Sequence, residues 1–188
     1  NWMTAGRGIS HSERFEDPSV FGDPGLELLQ SWVALPEADE EIDPAFDHYP
    51  ARVLPEARDR GAWMRLIAGE AFGLSSPVKT HSPMFYLHAV LQPGATLGLP
   101  GGYSERAAYV VAGRVDSGGR GLGPGQMRVF DGEADAALRA TEASTVMLLG
   151  GEPLGERHIW WNFVSSRKDR IEQAKADWTT GRIALPPN

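Results

Sequence analysis

The sequence predicts an all-β protein, a sandwich or barrel of short strands, with a short helix close to the C-terminus. The 22 glycines and 14 prolines are spread between short apolar runs rather than gathered in one tract, which indicates many turns. Several short strands separated by turn residues are typical of sandwiches and barrels. A different pattern, with Ile171, Ala174 and Trp178 at helical spacing, predicts the one helix.

The strand candidates are apolar runs bounded by turn-forming residues. The first, Leu26–Leu35, ends at Pro36 and leads into the acidic run from Glu37 to Asp43, which we expect to be a solvated loop. Seven more strands are predicted, at Tyr49–Leu54, Ala62–Ala68, Met84–Leu91, Ala107–Val115, Gln126–Phe130, Thr145–Leu149 and Ile159–Val164.

Two of these segments make more specific predictions. In Met84–Leu91 every odd position is apolar, so one face of that strand is expected to lie in the core. Near the C-terminus, Ser166 is predicted to cap a helix that runs from Arg167 onward, and Gly181 is predicted to end it.

Charge and composition exclude several classes of function. The net charge of −7 lacks the basic character of proteins that bind phosphate backbones, so no direct nucleic-acid partner is expected. The absence of cysteine excludes disulfides, zinc–thiolate sites and thiol nucleophiles. No apolar run approaches the roughly 20 residues that span a bilayer, and the first residues lack a signal-peptide pattern. We therefore expect a soluble, cytoplasmic protein without a membrane partner.

His11 and Glu13 are the candidate metal ligands. If Ile9 to Phe15 is extended, both side chains point to the same face, because side chains alternate along a strand. Imidazole and carboxylate together suit iron, manganese, nickel or zinc. Two ligands are too few for a tight site, and a solvated strand face is the alternative interpretation of this spacing.

The residues around this pair resemble a known signature. The order Gly6-x-Gly8-x-x-His11 is similar to the second conserved motif of cupins, and the run from Trp2 to Glu13 closely resembles the signature of the pirin family. The resemblance implies a double-stranded β-helix (cupin or jelly-roll) barrel, present twice in a pirin-like bicupin, with a short C-terminal helix. It also implies that His11 and Glu13 are two of four metal ligands.

In pirins the other two ligands form a His-x-His pair earlier in the same barrel. That pair is not in this sequence, which opens on Asn1 within the signature. Two alternatives remain open. Either the segment that carries the first motif lies upstream of Asn1, or this variant does not bind a metal in the manner of the family.

A second cupin motif can be aligned further along the chain, with Gly94 and Gly113 as its first and last glycines. The three ligand positions then fall on Pro100, Gly102 and Arg106, none of which binds a divalent cation. This pattern resembles the C-terminal half of pirins, a barrel that keeps the fold without the metal. Arg106 is expected to be a surface or salt-bridged arginine, and a cation that binds a small anion in the second barrel is the alternative interpretation.

Two further segments, Ser76–Thr80 and Gly150–Gly155, are also pirin-like, so the resemblance covers most of the chain. It implies that residues 1–60 are the remainder of the N-terminal metal-binding cupin and a linker. Residues 61–188 would form a C-terminal cupin that lacks metal ligands and ends in a helix. The other histidines are expected to be structural or exposed, and the Trp160-Trp161 pair is expected to belong to the barrel wall.

The resemblance implies functions of two classes. Pirins are similar to cupin dioxygenases that cleave flavonols such as quercetin; in that hypothesis His11, Glu13 and the absent histidine pair bind Fe(II), and Glu13 is also a catalytic base toward the substrate hydroxyl. The alternative is a metal- or redox-sensitive regulatory protein that binds a transcription factor or a metabolic enzyme without turnover. A third hypothesis is a remnant barrel whose metal site is lost.

Overall fold

A computed structural model describes residues 1–12, 17, 19, 22, 28–132 and 135–184. In these residues the chain forms fifteen β-strands and one α-helix. It divides into two compact units, the first made of Asn1–Trp2 and Asp47–Pro153 and the second of Met3–Phe46 and Leu154–Asn188. The predicted all-β class with a short C-terminal helix is confirmed.

The strands are short, apart from four in the first unit that contain eight or ten residues. The elements in chain order are β1 (Trp2–Thr4), β2 (Ala45–Asp47), β3 (Glu56–Asp59), β4 (Ala62–Ala71), β5 (Leu74–Ser75), β6 (Met84–Leu91), β7 (Thr96–Gly98), β8 (Glu105–Ala112), β9 (Val115–Ser117), β10 (Arg120–Leu122), β11 (Met127–Asp131), β12 (Ala137–Ala140), β13 (Ser144–Gly151), β14 (His158–Trp160), β15 (Phe163–Ser165) and α1 (Lys168–Thr179).

The first unit contains two antiparallel sheets. The larger has the strand order β11-β8-β13-β6-β4-β3, with β5 paired to β4, and the smaller has the order β10-β9-β12-β7. Strands of both sheets contribute to one apolar core. Its largest fully buried members are Phe85, Phe130, Leu66, Leu87, Leu91, Leu138, Leu148, Val110, Val115 and Val146.

The predicted periodicity of β6 is confirmed, because Phe85, Leu87, Ala89 and Leu91 are all fully buried. Strand β4 extends beyond the predicted end at Ala68. Its pairing with β6 shifts register between Leu66 and Ala68, which marks a β-bulge in the middle of the strand.

Three strand predictions are wrong. Residues 49–54 contain a 3-10 helix, Ala51–Val53, because the chain after Pro50 turns back and the Val53 amide donates to the Pro50 carbonyl at 3.0 Å. The described part of the first candidate, residues 28–35, contains no strand. The segment Ile159–Val164 is a hairpin, β14 and β15, since its backbone reverses at Trp161 with φ +50°.

Helix α1 of the second unit begins with a different cap from the one predicted. The N-cap is Arg167, and its amide donates to the Ser165 hydroxyl at 3.1 Å. The Ser166 hydroxyl instead donates to Glu40 at 3.0 Å, because a carboxylate lies close enough to accept it. The predicted stop is confirmed, with Gly181 at φ +71° just after the helix.

The predicted place of the tryptophan pair is also wrong. Trp160 and Trp161 lie at the tip of the β14–β15 hairpin and are 42% and 52% exposed, so they are not buried in a barrel wall. Their rings pack among themselves and against α1, with Trp161 at 4.7 Å from Trp178 between ring centroids. Within the described ranges, no helix has both the length and the apolar character needed to cross a membrane.

Candidate functional site

A glycine turn precedes His11 in the second unit. Gly6 has φ +51°, and a β-carbon there would lie 2.1 Å from the Ile42 carbonyl oxygen. That carbonyl accepts the Arg7 amide at 3.0 Å, and the Arg7 guanidinium pairs with Asp43. Glycine is therefore required at position 6 by the close approach of another backbone, which explains the first glycine of the signature.

His11 follows this turn with an exposed side chain, and the residues from Ile9 to Ser12 form no strand. The described part of this segment, residues 9–12, is therefore not a paired strand. Glu13 lies outside the described residues, so the pairing of His11 with Glu13 stays a prediction. Among the described residues, no group of three or more His, Cys, Asp or Glu side chains could hold a metal ion.

The ligand positions of the second cupin motif do not fit a metal. Pro100 has no donor, Gly102 occupies a turn with φ +84°, and Arg106 carries a positive charge. Directly after Gly102, the Tyr103 ring packs against the fully buried Phe85. Arg106 is only 7% exposed, so the surface alternative is wrong, and the salt-bridged alternative stays a prediction.

A cleft of about 570 Å³ lies beside these positions in the first unit, lined by residues 70–75 and by Pro100, Gly101 and Tyr103. Its rim is the β4–β5 hairpin, whose strands pair at Ala71 and Leu74. Both central residues of the turn have positive φ, +53° at Phe72 and +74° at Gly73, as in a type I′ turn.

Tyr103 is held firmly in this cleft. Its hydroxyl donates to the Glu70 carbonyl oxygen at 2.7 Å, and its ring lies 5.0 Å from that of Phe85. Burial raises the pKa of Tyr103, and the negative charges of Glu70 and Glu152 raise it further. The phenol is therefore a neutral, fixed aromatic wall at neutral pH.

Comparison with known proteins decides the family. Residues 86–184, more than half of the chain, match the pirin C-terminal cupin domain. The chain belongs to the pirin family. A pirin-like protein of Caulobacter vibrioides is 57% identical over 188 residues, which cover 99% of this chain and 65% of the relative. Human pirin is 32% identical over 193 residues, covering 96% of this chain and 63% of the relative.

A solved structure confirms the cupin fold. A quercetin 2,3-dioxygenase from Acinetobacter baumannii superimposes with a TM-score of 0.74 at 26% sequence identity. The match covers 84% of this chain and 53% of that protein. The chain thus spans less than two thirds of the length of each of these pirins and of the dioxygenase.

The sequence did not reveal the cleft. Its rim hairpin is short, since β5 contains two residues, too few for a visible alternation. The one indication of this hairpin in the sequence is Phe72-Gly73, which directly follows a long apolar strand. Glycine in a two-residue loop is typical of a hairpin turn. Tyr103 lies inside the second cupin motif, between Gly102 and Arg106, but that motif gives it no role, and only the fold brings it together with Glu70.

Phe72 is expected to be strained by its positive φ, and substitution by a residue that tolerates this conformation should relieve the strain. Phe72→Asn should raise the free energy of unfolding by about 0.5–1 kcal/mol, since asparagine tolerates positive φ better than phenylalanine. Urea unfolding followed by circular dichroism measures the change. Phe72→Ala is the matched control, because it also removes the ring but keeps a β-carbon with no preference for this conformation. Equal effects of the two substitutions would contradict the strain argument.

His88 on β6 provides a prediction about pH. Burial lowers the pKa of His88 below its ordinary value of 6.5, and the charge of Arg65 lowers it further. The unfolded chain therefore binds this proton more readily than the folded one, and stability is lost as pH falls from about 7 through the folded pKa. His88→Gln should remove that part of the acid destabilisation, measured as the free energy of unfolding across this pH range. His48→Gln, at an exposed loop position, is the control, and an equal effect of the two substitutions would contradict the role of burial at His88.

Proposed function

We propose that the full-length protein is a metal-dependent cupin dioxygenase that acts on flavonols, in the manner of quercetin 2,3-dioxygenase. The observation that carries this proposal is the superposition on a protein of that name over 84% of the chain, at 26% identity. Fold alone does not determine activity, so the proposal rests on sequence identity and fold together.

The metal is proposed to lie in the N-terminal cupin, since the aligned positions of the C-terminal barrel have no metal ligands. His11 and Glu13 supply imidazole and carboxylate ligands, and a His-x-His pair elsewhere in the full-length protein supplies the rest. This donor set suits Fe(II), which when bound would leave positions open for oxygen or for a substrate oxygen. Glu13 is proposed as the base that accepts the proton of the substrate hydroxyl.

The metal assignment predicts which residues control metal content. His11→Ala and Glu13→Ala should each lower the affinity of the full-length protein for iron by more than about tenfold, because each removes a ligand. Elemental analysis after equilibration with limiting Fe(II) measures the iron retained. His48→Ala is the matched control, as it removes another exposed imidazole, and it should leave the iron content unchanged. Equal iron retention in all variants would overturn the assignment.

The activity itself is tested separately by oxygen uptake. The iron-loaded, full-length protein should consume oxygen only when quercetin is present, and the His11→Ala variant should not. Iron-loaded protein without flavonol-dependent uptake would overturn the enzyme proposal. The hypothesis of a metal- or redox-sensitive protein that binds a transcription factor or a metabolic enzyme would then be tested by comparing partners captured with iron in each oxidation state.

A further inference from the structure

The cleft beside the β4–β5 hairpin combines one carboxylate with two aromatic side chains. Glu70, Phe72 and Tyr103 all line it. The side chains belong to different parts of the first unit, since Glu70 and Phe72 lie at the end of β4 and Tyr103 lies 31 residues beyond Phe72, just before β8. We propose that this cleft binds an ammonium group carried on a small apolar body.

The charge of the cleft comes from Glu70. The Glu70 carboxylate accepts the Ser75 hydroxyl at 3.4 Å. It takes part in none of the ion pairs found among the described residues. None of the described residues that line the cleft is a lysine or an arginine. A carboxylate without a cationic partner in a concave site attracts a positive ligand and repels an anion.

The two aromatic residues determine what kind of cation fits. Phe72 is 42% exposed at the rim, held there by a turn that phenylalanine rarely adopts. Tyr103 also lines the cleft and is fixed there by its bond to the Glu70 carbonyl oxygen. Aromatic faces attract organic ammonium groups, most strongly when the cation is poorly hydrated. An alkylated ammonium therefore fits this lining better than a hydrated inorganic ion.

Other ligand classes fit less well. A divalent metal needs several donors, whereas Glu70 is the one acidic residue among the described residues of the lining. A neutral aromatic molecule would fill the cleft but would bury the Glu70 carboxylate without a partner, which is unfavourable. The cleft volume of about 570 Å³ suits a small molecule or one side chain of a peptide.

The negative potential acts on Tyr103 as well. After burial, the charges of Glu70 and Glu152 are the further causes that raise the pKa of this phenol. Glu152 is held in place by the Ser104 amide at 3.0 Å and by the Ser104 hydroxyl at 2.6 Å. A second carboxylate thus contributes to the field around Tyr103.

The proposal is tested by comparing the binding of choline with that of its neutral isostere, 3,3-dimethylbutan-1-ol. Calorimetry and NMR shifts of the whole protein measure the two affinities. Choline is expected to bind about tenfold more tightly than the isostere, and its affinity should fall as salt is added. Equal affinities for the two compounds, or no saturable choline binding, would overturn the proposal. A peptide bearing trimethyllysine is tested in parallel. Tighter binding of the peptide than of choline would indicate a protein ligand, and tighter binding of choline would indicate a free amine.

Three variants assign the binding to the cleft. Glu70→Gln should weaken choline binding about tenfold, and Phe72→Asn should weaken it about threefold while leaving the fold intact. Glu142→Gln removes an exposed carboxylate from the loop before β13 and should leave the affinity unchanged. An equal loss in Glu142→Gln and Glu70→Gln would show that net charge, rather than the cleft, attracts the cation. Thermal unfolding of each variant confirms that it is folded.

Discussion

Replacing Glu40 by alanine is expected to lower the free energy of unfolding of the second unit by about 3–5 kcal/mol. The Glu40 side chain is 12% exposed, and its Oε1 lies 2.9 Å from Nε of Arg157, which is 10% exposed. Removal of one partner of a buried ion pair leaves the other charge in a poorly solvated place. The loss is therefore expected to be larger than for a surface pair.

Glu40 also organises the start of α1. Its carboxylate accepts the Ser166 amide at 2.9 Å and the hydroxyls of Ser165 and Ser166 at 2.9 and 3.0 Å. Arg157 in turn donates to the Leu35 and Leu154 carbonyls at 2.8 and 2.9 Å. Loss of the Glu40 carboxylate removes the acceptor of the Ser166 amide and of the two serine hydroxyls at the same time, which adds to the effect of the lost charge pair.

The measurement is urea unfolding followed by tryptophan fluorescence, because four of the six tryptophans lie in the second unit. Hydrogen exchange of the α1 amides provides a local readout and should accelerate in the variant. Glu41→Ala is the matched control: it removes the neighbouring carboxylate, which is 53% exposed and pairs with Arg170 at 2.7 Å. That change should lower stability by no more than about 1 kcal/mol. Similar losses in both variants would contradict the role of burial.

The burial of Glu40 beside Arg157 could not be predicted from the sequence. Glu37 to Asp43 reads as one acidic run, and its composition predicts a solvated loop. Both acids have partners more than 100 residues later, but Glu40 is only 12% exposed among Arg157, Ser165 and Ser166, whereas Glu41 beside Arg170 is 53% exposed. No local pattern contains that information, so the sequence could not predict which acid of the run would be buried.

Local periodicity, in contrast, predicted well wherever the buried face was regular. Strand β6 matches its predicted bounds, and the helical spacing of Ile171 and Ala174 matches the two buried residues of α1. The prediction for Trp160 and Trp161 was wrong because apolar composition does not show whether a residue lies in a barrel wall or at the tip of a hairpin. The family signature around His11 was informative in another way, since it named a family that the C-terminal domain match confirms.

The second large effect is expected at Gly69, where substitution by alanine should lower the free energy of unfolding of the first unit by about 3–5 kcal/mol. Gly69 has φ +76°, which an alanine adopts only with strain. Its β-carbon would lie 1.8 Å from the Met84 carbonyl oxygen and 3.2 Å from Cα of Phe85. Both atoms belong to the backbone of β6, so no side chain can move aside to make room.

The cause is the bulge between Leu66 and Ala68, which brings the end of β4 close to β6. Relief of the clash would require β4 and β6 to separate, and the fully buried Phe85 lies directly opposite Gly69 in the register. Gly69 also precedes Glu70, so a shift at this point would displace the carboxylate of the cleft. Reduced choline affinity is therefore expected in any Gly69→Ala protein that folds.

Gly73→Ala separates backbone strain from steric clash. Gly73 has nearly the same φ, +74°, yet a β-carbon there would meet nothing within 4 Å. The Gly73→Ala substitution should lower the free energy of unfolding by only about 1 kcal/mol, because it adds backbone strain without a steric clash. Urea unfolding followed by circular dichroism compares the two variants, and the soluble yield relative to Gly73→Ala is the readout if Gly69→Ala does not fold. Equal stabilities would show that β4 and β6 can separate at the bulge, and the steric argument for Gly69 would then be wrong.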